Sequence, residues 1–221
     1  MPVNTNKIVC ATIDKWHEAR GLSGTRASAI LGQNPYMTNV DVWEILTHKR
    51  KDKDLSDNEA VRFGLEAEKH IRALYRMEVK GVYDVQDTTD FDNGGRVVYS
   101  HIDKPYLTAS VDGLLTRVAD GALGVLEIKT TSILSSIHRE TWRDGVPQNY
   151  YIQLLHEIMV LDAAFGVLVA YLRYSDYTII KSYLVERKEA EADIKSLFDS
   201  EVDYYEKYVA TKQRPPLLIN L

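Results

Sequence analysis

The sequence predicts an α/β domain with a mixed central β-sheet flanked by helices. Three observations carry this expectation. From about residue 80 to residue 129 the apolar residues recur with a period of two, interrupted by Gly, Asp and Pro, as in short strands joined by turns. Two further strand-like runs, "GVLVAYLRY" and "YTIIKSYLVER", follow only after a helical stretch, "NYYIQLLHEIMVLDA". Helical patterns fill the first 78 residues and the C-terminal part, so the order is helices, strands, helix, strands, helix. A length of 221 residues with 45 % hydrophobic content fits one domain, 1–221, with an ample core. It divides into a mainly helical part, 1–78, a sheet-bearing part, 79–185, and a C-terminal helix and tail, 186–221.

In chain order, Thr12 can cap a short helix, "IDKWHEAR", and "GTRASAILG" makes one or two helical turns stopped by Gly32. "QNPY" is a turn, because Asn34 before Pro35 favours an extended or turn conformation. Asn39 can cap "VDVWEILTHKR". Ser56 and Glu59 fit a capping box before a long helix, "AVRFGLEAEKHIRALYRM", with an apolar stripe at Val61, Leu65, Ile71, Leu74 and Tyr75. Gly64 inside that helix costs about 1 kcal/mol relative to alanine, so it implies close packing or a close ligand. The strands follow as "GVYDV", "GRVVYS", "YLTASV", "GLLTRV" and "GVLEIK", then the helix and two strands above, then a final helix over about Lys188 to Lys212 ended by "RPPLL".

Composition excludes several classes. A single cysteine, Cys10, leaves no intramolecular disulfide and no Cys-rich metal site, which suits a reducing, cytoplasmic setting. No apolar run approaches a membrane span, and the N-terminus has no apolar leader segment, so no membrane association is expected. A net charge of −5 argues against a generally basic nucleic-acid binder, but not against a nuclease whose acidic metal ligands add negative charge. The basic run "HKRKDKD" reads as a solvated helix end. Trp16 and Trp43 read as core residues, and His17, His138 and His156 as structural or exposed.

The chemistry gathers around one hairpin. Asp120-Gly121 is a preferred two-residue turn, and centring it there pairs Ala119 with Ala122, Leu114 with Glu127, and Asp112 with Lys129. Opposed residues and i,i+2 residues share a sheet face, so Asp112, Glu127 and Lys129 would cluster on one side. Apolar residues on both faces of neighbouring strands predict that the sheet is covered on both sides, so these charges need partners or a metal. Two carboxylates with the Ile128 carbonyl suit Mg²⁺, and Mn²⁺ also, which keep several waters. Such an ion polarises a phosphodiester and activates water, while a lysine steadies developing negative charge. On these residues alone, Asp112 also reads as a turn aspartate before Gly113, and Glu127 with Lys129 as a cross-strand ion pair.

"SVDG…LEIK", an Asp followed about fifteen residues later by Glu-x-Lys, resembles the PD-(D/E)XK nuclease core, without the usual proline because Val111 precedes Asp112. "WHEARGLSGTRASAILGQNPYMTNVDVWE" resembles the opening of the phage alkaline exonucleases, the lambda exonuclease or YqaJ viral recombinase family. "RFGLEAE" resembles that family's helix motif, with Gly64 and Glu68, and "NYYIQLLHEIMV" its helix bearing a glutamine, here Gln153. The likeness spans roughly Trp16 to Val160 in matching order.

The resemblance implies a Mg²⁺-dependent 5′→3′ exonuclease on double-stranded DNA ends. It implies release of mononucleotides and 3′ single-stranded overhangs for phage-type recombination. Asp112 and Glu127 would hold the metal with the Ile128 carbonyl, Glu68 would add a carboxylate, Lys129 would hold the attacking water, and Gln153 would help position the water or Lys129. Arg20 and Thr25 would receive the 5′ phosphate, and Ser110 would contact the scissile region. A single-strand annealing partner, a homotrimeric ring and a phage or prophage origin in a bacterial host are implied as well. Thr25-Arg26 departs from the family's Ser-Asp or Ser-Glu pair, which leaves the phosphate pocket's details open. Residue by residue, Arg20 also reads as a surface helix residue, Thr25 as a cap for a helix starting at Arg26, Glu68 as an acid paired with Arg72, and Gln153 as a polar-face residue. The alternatives are a PD-(D/E)XK endonuclease or RecB-like repair nuclease, and a non-catalytic DNA-binding protein with a degenerate core.

Overall fold

The computed structural model describes residues 5–53, 55, 57–88 and 96–218. The chain begins with a strand, β1 (Thr5–Cys10), then three short helices, α1 (Ile13–Ala19), α2 (Gly24–Ile30) and α3 (Asn39–Leu46). The long helix α4 (Glu59–Glu78) leads into β2 (Tyr83–Gln86), β3 (Arg96–His101), β4 (Thr108–Ala109), β5 (Gly113–Arg117) and β6 (Leu123–Ser132). Helices α5 (Ser136–Asp144) and α6 (Gln148–Val160) precede β7 (Phe165–Arg173) and β8 (Thr178–Glu186). Helix α7 (Arg187–Tyr204) closes the chain with a π-helical turn, Tyr205–Val209.

The strands form two sheets rather than one. β1, β3 and β4 make a small antiparallel sheet, and β2, β5, β6, β7 and β8 make the larger mixed one in that spatial order. Among the described strands of the larger sheet β6 and β7 run parallel, with α5 and α6 as the crossover between them, and the other pairs are antiparallel. The larger sheet is covered on both faces, as the apolar runs predict. Val125, Leu168, Ala170 and Leu172 pack into the core shared with α2, α6 and α7. Leu126, Ile128, Val167 and Val169 pack on the other face with Ile71 and Tyr75 of α4. Alternation along β6 therefore directs Glu127 and Lys129 to the α6 side.

Local chemistry sets the helix ends. Thr12 caps α1, accepting from the Lys15 N–H at 3.2 Å. α3 is capped by Thr38, not Asn39, because a reciprocal box with Asp41 satisfies two end groups together. Asn39 is buried one position later. Its amide donates to the Pro216 carbonyl at 2.7 Å and accepts from the Leu218 N–H at 3.0 Å, pinning the C-terminal tail. Ser56 lies outside the described residues, and α4 is capped by Asn58, whose side chain accepts from Ala60 and Val61. Ile71 and Tyr75 of the expected stripe are buried, but Leu65 and Leu74 are about half exposed, because α4 covers the sheet with a narrow face. α7 is shorter than the pattern suggests: regular helix stops at Tyr204 and passes into the π turn.

Two glycines mark close approaches. A Cβ on Gly64 would sit 3.1 Å from Thr130 Oγ1, so α4 rests directly on β6. A Cβ on Gly24 would sit 2.7 Å from Gln153 Cγ and 3.1 Å from the Gln153 carbonyl, so α2 is seated on α6 at this residue. Gly24→Ala is expected to destabilise the protein by about 1–3 kcal/mol through overpacking, because backbone as well as side chain stands in the way. Chemical denaturation should show it as a lowered midpoint with an unchanged slope.

Candidate active site

The hairpin between β5 and β6 is built differently from the sequence expectation. Its loop spans residues 118–121, four residues rather than two: Arg117 N donates to the Ala122 carbonyl at 2.9 Å, and Gly121 takes φ +70°. The Asp120 carboxylate accepts from the Ala122 N–H at 3.0 Å, which favours this wider turn. Gly113 therefore faces Leu126, and Leu114 faces Val125 instead of Glu127. Continued by one residue, this register sets Asp112 across from Glu127, not Lys129. The slip is two residues, and a slip of two keeps every side chain on its face.

β5 begins at Gly113, so Ile128 has no strand residue opposite it within β5. The Asp112 side chain takes that place, accepting from the Ile128 N–H at 2.6 Å. Glu127 is 3 % exposed. Its Oε1 accepts from Lys129 Nζ at 2.5 Å and from Gln153 Nε2 at 2.6 Å, while its buried Oε2 has no protein partner. Lys129 also lies over the Tyr150 ring, 5.1 Å from its centre. Glu68, from α4 on the opposite face of the sheet, is bonded to Arg72 at 2.9 Å.

Electrostatics couple the carboxyls. Burial pushes the Asp112 carboxyl well above the usual range, and the charges of Glu127 and Glu68 push it further. Burial and, less strongly, Glu127 also raise Glu68, against the pull of Arg72. For Lys129 burial disfavours the ammonium, but Glu127 and Asp112 outweigh it and hold the proton more tightly than usual.

Among the described residues no three His, Cys, Asp or Glu side chains converge as a ready metal cage. The donors still fit a hard cation that keeps most of its own waters and takes one or two carboxylates. Glu127 offers a buried oxygen with no partner, and neighbouring carboxyls repel one another unless protonated or bridged by positive charge.

The anion side of the site lies around Trp16. Arg20 and Arg96 both stack on its indole, at 4.2 and 4.9 Å, so Trp16 is a platform for cations rather than a core residue. Burial and the neighbouring charges of Arg26 and Arg96, opposed by Asp52, bring the Arg20 pKa down to about 10. Two guanidinium groups, Arg20 and Arg96, on one ring favour an anionic ligand. Ser110 is occupied locally: it accepts from Trp16 Nε1 at 3.1 Å and donates to the Val97 carbonyl at 2.9 Å. Thr25 is exposed in the first turn of α2, which begins at Gly24, so it does not cap a helix starting at Arg26.

A YqaJ-like viral recombinase domain matches residues 15–164. The chain belongs to that family. Its relative YqaJ of Bacillus subtilis (strain 168) is 26 % identical over 212 residues, covering 92 % of this chain and 59 % of the relative. The chain thus spans about three-fifths of that relative's length. Among solved structures, the alkaline exonuclease LHK-Exo of Laribacter hongkongensis superposes with a TM-score of 0.50 at 20 % identity, over 90 % of this chain and 98 % of that one. A second structure of that enzyme contains dAMP. A phage-related exonuclease of Haemophilus somnus 129PT gives a TM-score of 0.53 at 12 % identity, over 89 % and 99 % of the two chains. These likenesses show a shared fold, in keeping with the expected mixed sheet flanked by helices.

Family membership makes the departure at Arg26 informative. Arg26 is buried, donates to the Arg20 and Gly21 carbonyls at 2.9 and 2.5 Å, and pairs with Asp52 at 2.6 Å. The acid it needs thus comes from the "HKRKDKD" run, which is not merely a solvated end. Two residues near the site were not foreseen. Arg96 begins β3, next to a stretch with no chemical signature. Glu157 is 1 % exposed and accepts from Gln153 Nε2 at 2.9 Å, so Gln153 holds two buried carboxylates, not Lys129. Its spacing from Gln153, one helical turn, was the available signal.

Proposed function

We propose that this chain is a metal-dependent exonuclease that degrades double-stranded DNA from a 5′ end, releasing mononucleotides and leaving a 3′ single strand. The observation that carries the reading is Glu127: a buried carboxylate one oxygen of which is held by Lys129 and Gln153 while the other is unpartnered, beside Asp112 at the open end of β5. The family and the exonuclease fold support it.

Asp112, Glu127 and the Ile128 carbonyl would hold Mg²⁺, or Mn²⁺, with Glu68 as a further carboxylate. The bound ion supplies Lewis acidity toward the phosphodiester and a more acidic water. Lys129, kept protonated by Glu127 and Asp112, places a positive charge where negative charge develops on the phosphoryl oxygens. Gln153 fixes the Glu127 carboxylate, so it acts on orientation. Arg20, with Arg96, would neutralise a 5′-terminal phosphate, with Thr25 at the exposed start of α2 as a hydroxyl donor and Ser110 as the anchor of Trp16. A ring of three copies around DNA would reconcile an acidic chain with a polyanionic substrate, since only the channel need be basic. A single-strand annealing protein would take the product strand, in a phage or prophage recombination setting.

Linear duplexes bearing 5′-phosphate or 5′-hydroxyl ends, and covalently closed circles, separate this reading from an endonuclease. With Mg²⁺, loss of the linear forms alone is expected, fastest with 5′-phosphate; with EDTA, none. Cleavage of closed circles would overturn the exonuclease assignment.

A further inference from the structure

Among the described residues Arg72 is the largest fully buried side chain, 2 % exposed, and it lies on α4, which brings Glu68 to the site from the opposite face of the sheet. Its Nη1 donates to Glu68 Oε1 at 2.9 Å and to the Asp112 main-chain carbonyl at 2.5 Å. Its Nε pairs with Asp87 Oδ1 at 2.7 Å. Asp87 is in turn held by Arg76 Nη2 at 2.8 Å, and Arg76 Nε donates to the Val85 carbonyl at 3.2 Å. One planar guanidinium thus ties α4, the segment after β2 and the residue just before β5.

An i,i+4 Glu–Arg pair on a solvated helix contributes a few tenths of a kcal/mol and fixes nothing. This pair differs in two ways. The arginine is out of water, where an unpaired charge is costly, so its partners are strongly determined. Its fork geometry also engages a main-chain oxygen forty residues away, which a flexible ammonium would not hold together with Glu68 and Asp87. The distance between Glu68 and Asp112 is therefore set through Arg72, and so is the local backbone that aims the Asp112 carboxylate.

We propose that Arg72 is a positioning residue that sets the Glu68 carboxylate and the Asp112 backbone in the arrangement that accepts a divalent cation. This rests on the reading of the site as a metal-dependent nuclease. Arg72→Lys keeps the charge but not the fork. The concentration of Mg²⁺ giving half of its maximal thermal stabilisation, read without DNA, is expected to rise about 10-fold, within the range for residues that orient metal ligands. The Mg²⁺ dependence of DNA degradation should shift in parallel. In a Glu68→Gln background the same substitution should shift the Mg²⁺ midpoint by a smaller factor, because only the contact to the Asp112 carbonyl is left for it to disturb. Asp87→Asn, at a half-exposed residue, loosens the Nε side of Arg72 only and should shift the midpoint in the same direction by a smaller factor.

An unchanged Mg²⁺ midpoint in Arg72→Lys, or an equal shift with and without Glu68, would overturn the proposal. If Arg72→Lys does not fold, an unchanged midpoint in Asp87→Asn would do so. If the unsubstituted protein neither gains stability from Mg²⁺ nor degrades DNA with it, the nuclease reading itself fails; if it does both and Arg72→Lys matches it, only the role of Arg72 falls.

Discussion

Glu127→Gln is expected to slow Mg²⁺-dependent degradation of duplex ends by at least about 100-fold, the scale seen when a single preorganised electrostatic group is lost. The substitution is nearly isosteric, yet it changes each feature that makes Glu127 distinctive. A carboxylate accepts at both oxygens, whereas the amide that replaces it keeps one acceptor and brings two donors. Lys129 Nζ and Gln153 Nε2 both donate to Oε1, so the amide oxygen can still receive them. The partnerless Oε2 becomes an NH₂ group pointing where a cation would sit. Lys129 also loses its nearest counter-charge. Initial rates on 5′-phosphorylated linear duplex, with near-ultraviolet circular dichroism to confirm native packing, provide the measurement. A variant that folds and keeps more than a third of the rate would remove Glu127 from the chemistry.

His156→Ala is expected to cost about 3–5 kcal/mol of stability, because it leaves one member of a buried ion pair alone. Both residues of the pair are 0 % exposed, and neither touches DNA in the proposed reaction. His156 Nδ1 lies 2.7 Å from Glu201 Oε1, and Nε2 lies 2.9 Å from the Thr108 carbonyl. With Glu201 ionised both neighbours are acceptors, so both ring nitrogens carry protons and the ring is an imidazolium. Burial opposes that charge, but the Glu201 carboxylate and the Thr108 carbonyl outweigh it and raise the pKa above the ordinary value. A group whose folded-state pKa is raised contributes fully below its unfolded value, about 6.5, and loses that contribution as pH rises through the folded-state value. The melting temperature of the unsubstituted protein should therefore decline over that alkaline interval, while that of His156→Ala should not show this step. For a domain of this size the deficit of the variant at neutral pH corresponds to about 6–20 °C. A variant melting within 2 °C or so of the parent would show that the pair is not the clasp between α6, α7 and β4 that its geometry describes.

The register of the β5–β6 hairpin shows how far the sequence could be read. Period-two patterning identified both strands and the face of Glu127 and Lys129, and parity preserved that grouping when the loop turned out two residues longer. The loop itself was illegible, because Asp120 can serve either a two-residue turn or the four-residue turn its side chain stabilises. Glu127, Lys129, Asp112 and Gln153 were named from spacing and resemblance, and the structure brings them into one connected group of contacts or charges. Their individual bonds were not: Gln153 reaches Glu127 and Glu157, and Asp112 completes the edge of β6.

Buried charges were the main blind spot. Arg26, Arg72, Glu157 and Glu201 look like solvated helix residues, since polar identity implies water unless a buried partner is known. Their partners are Asp52, Asp112 with Asp87, Gln153 and His156, between 4 and 45 positions away. β1 was hidden for a related reason. Among the described residues it pairs with β3, through backbone groups that every sequence possesses.

Strand polarity tests the central claim most directly. A linear duplex with 5′-phosphate ends and a distinct label at each terminus of one strand is incubated with the protein and Mg²⁺, and the earliest products are resolved by size. The expected result is release of the 5′ label as a mononucleotide while the 3′ label stays on a progressively shortened strand. Early release of the 3′ label, or internal fragments carrying either label, would contradict a 5′→3′ exonuclease built on Asp112, Glu127 and Lys129.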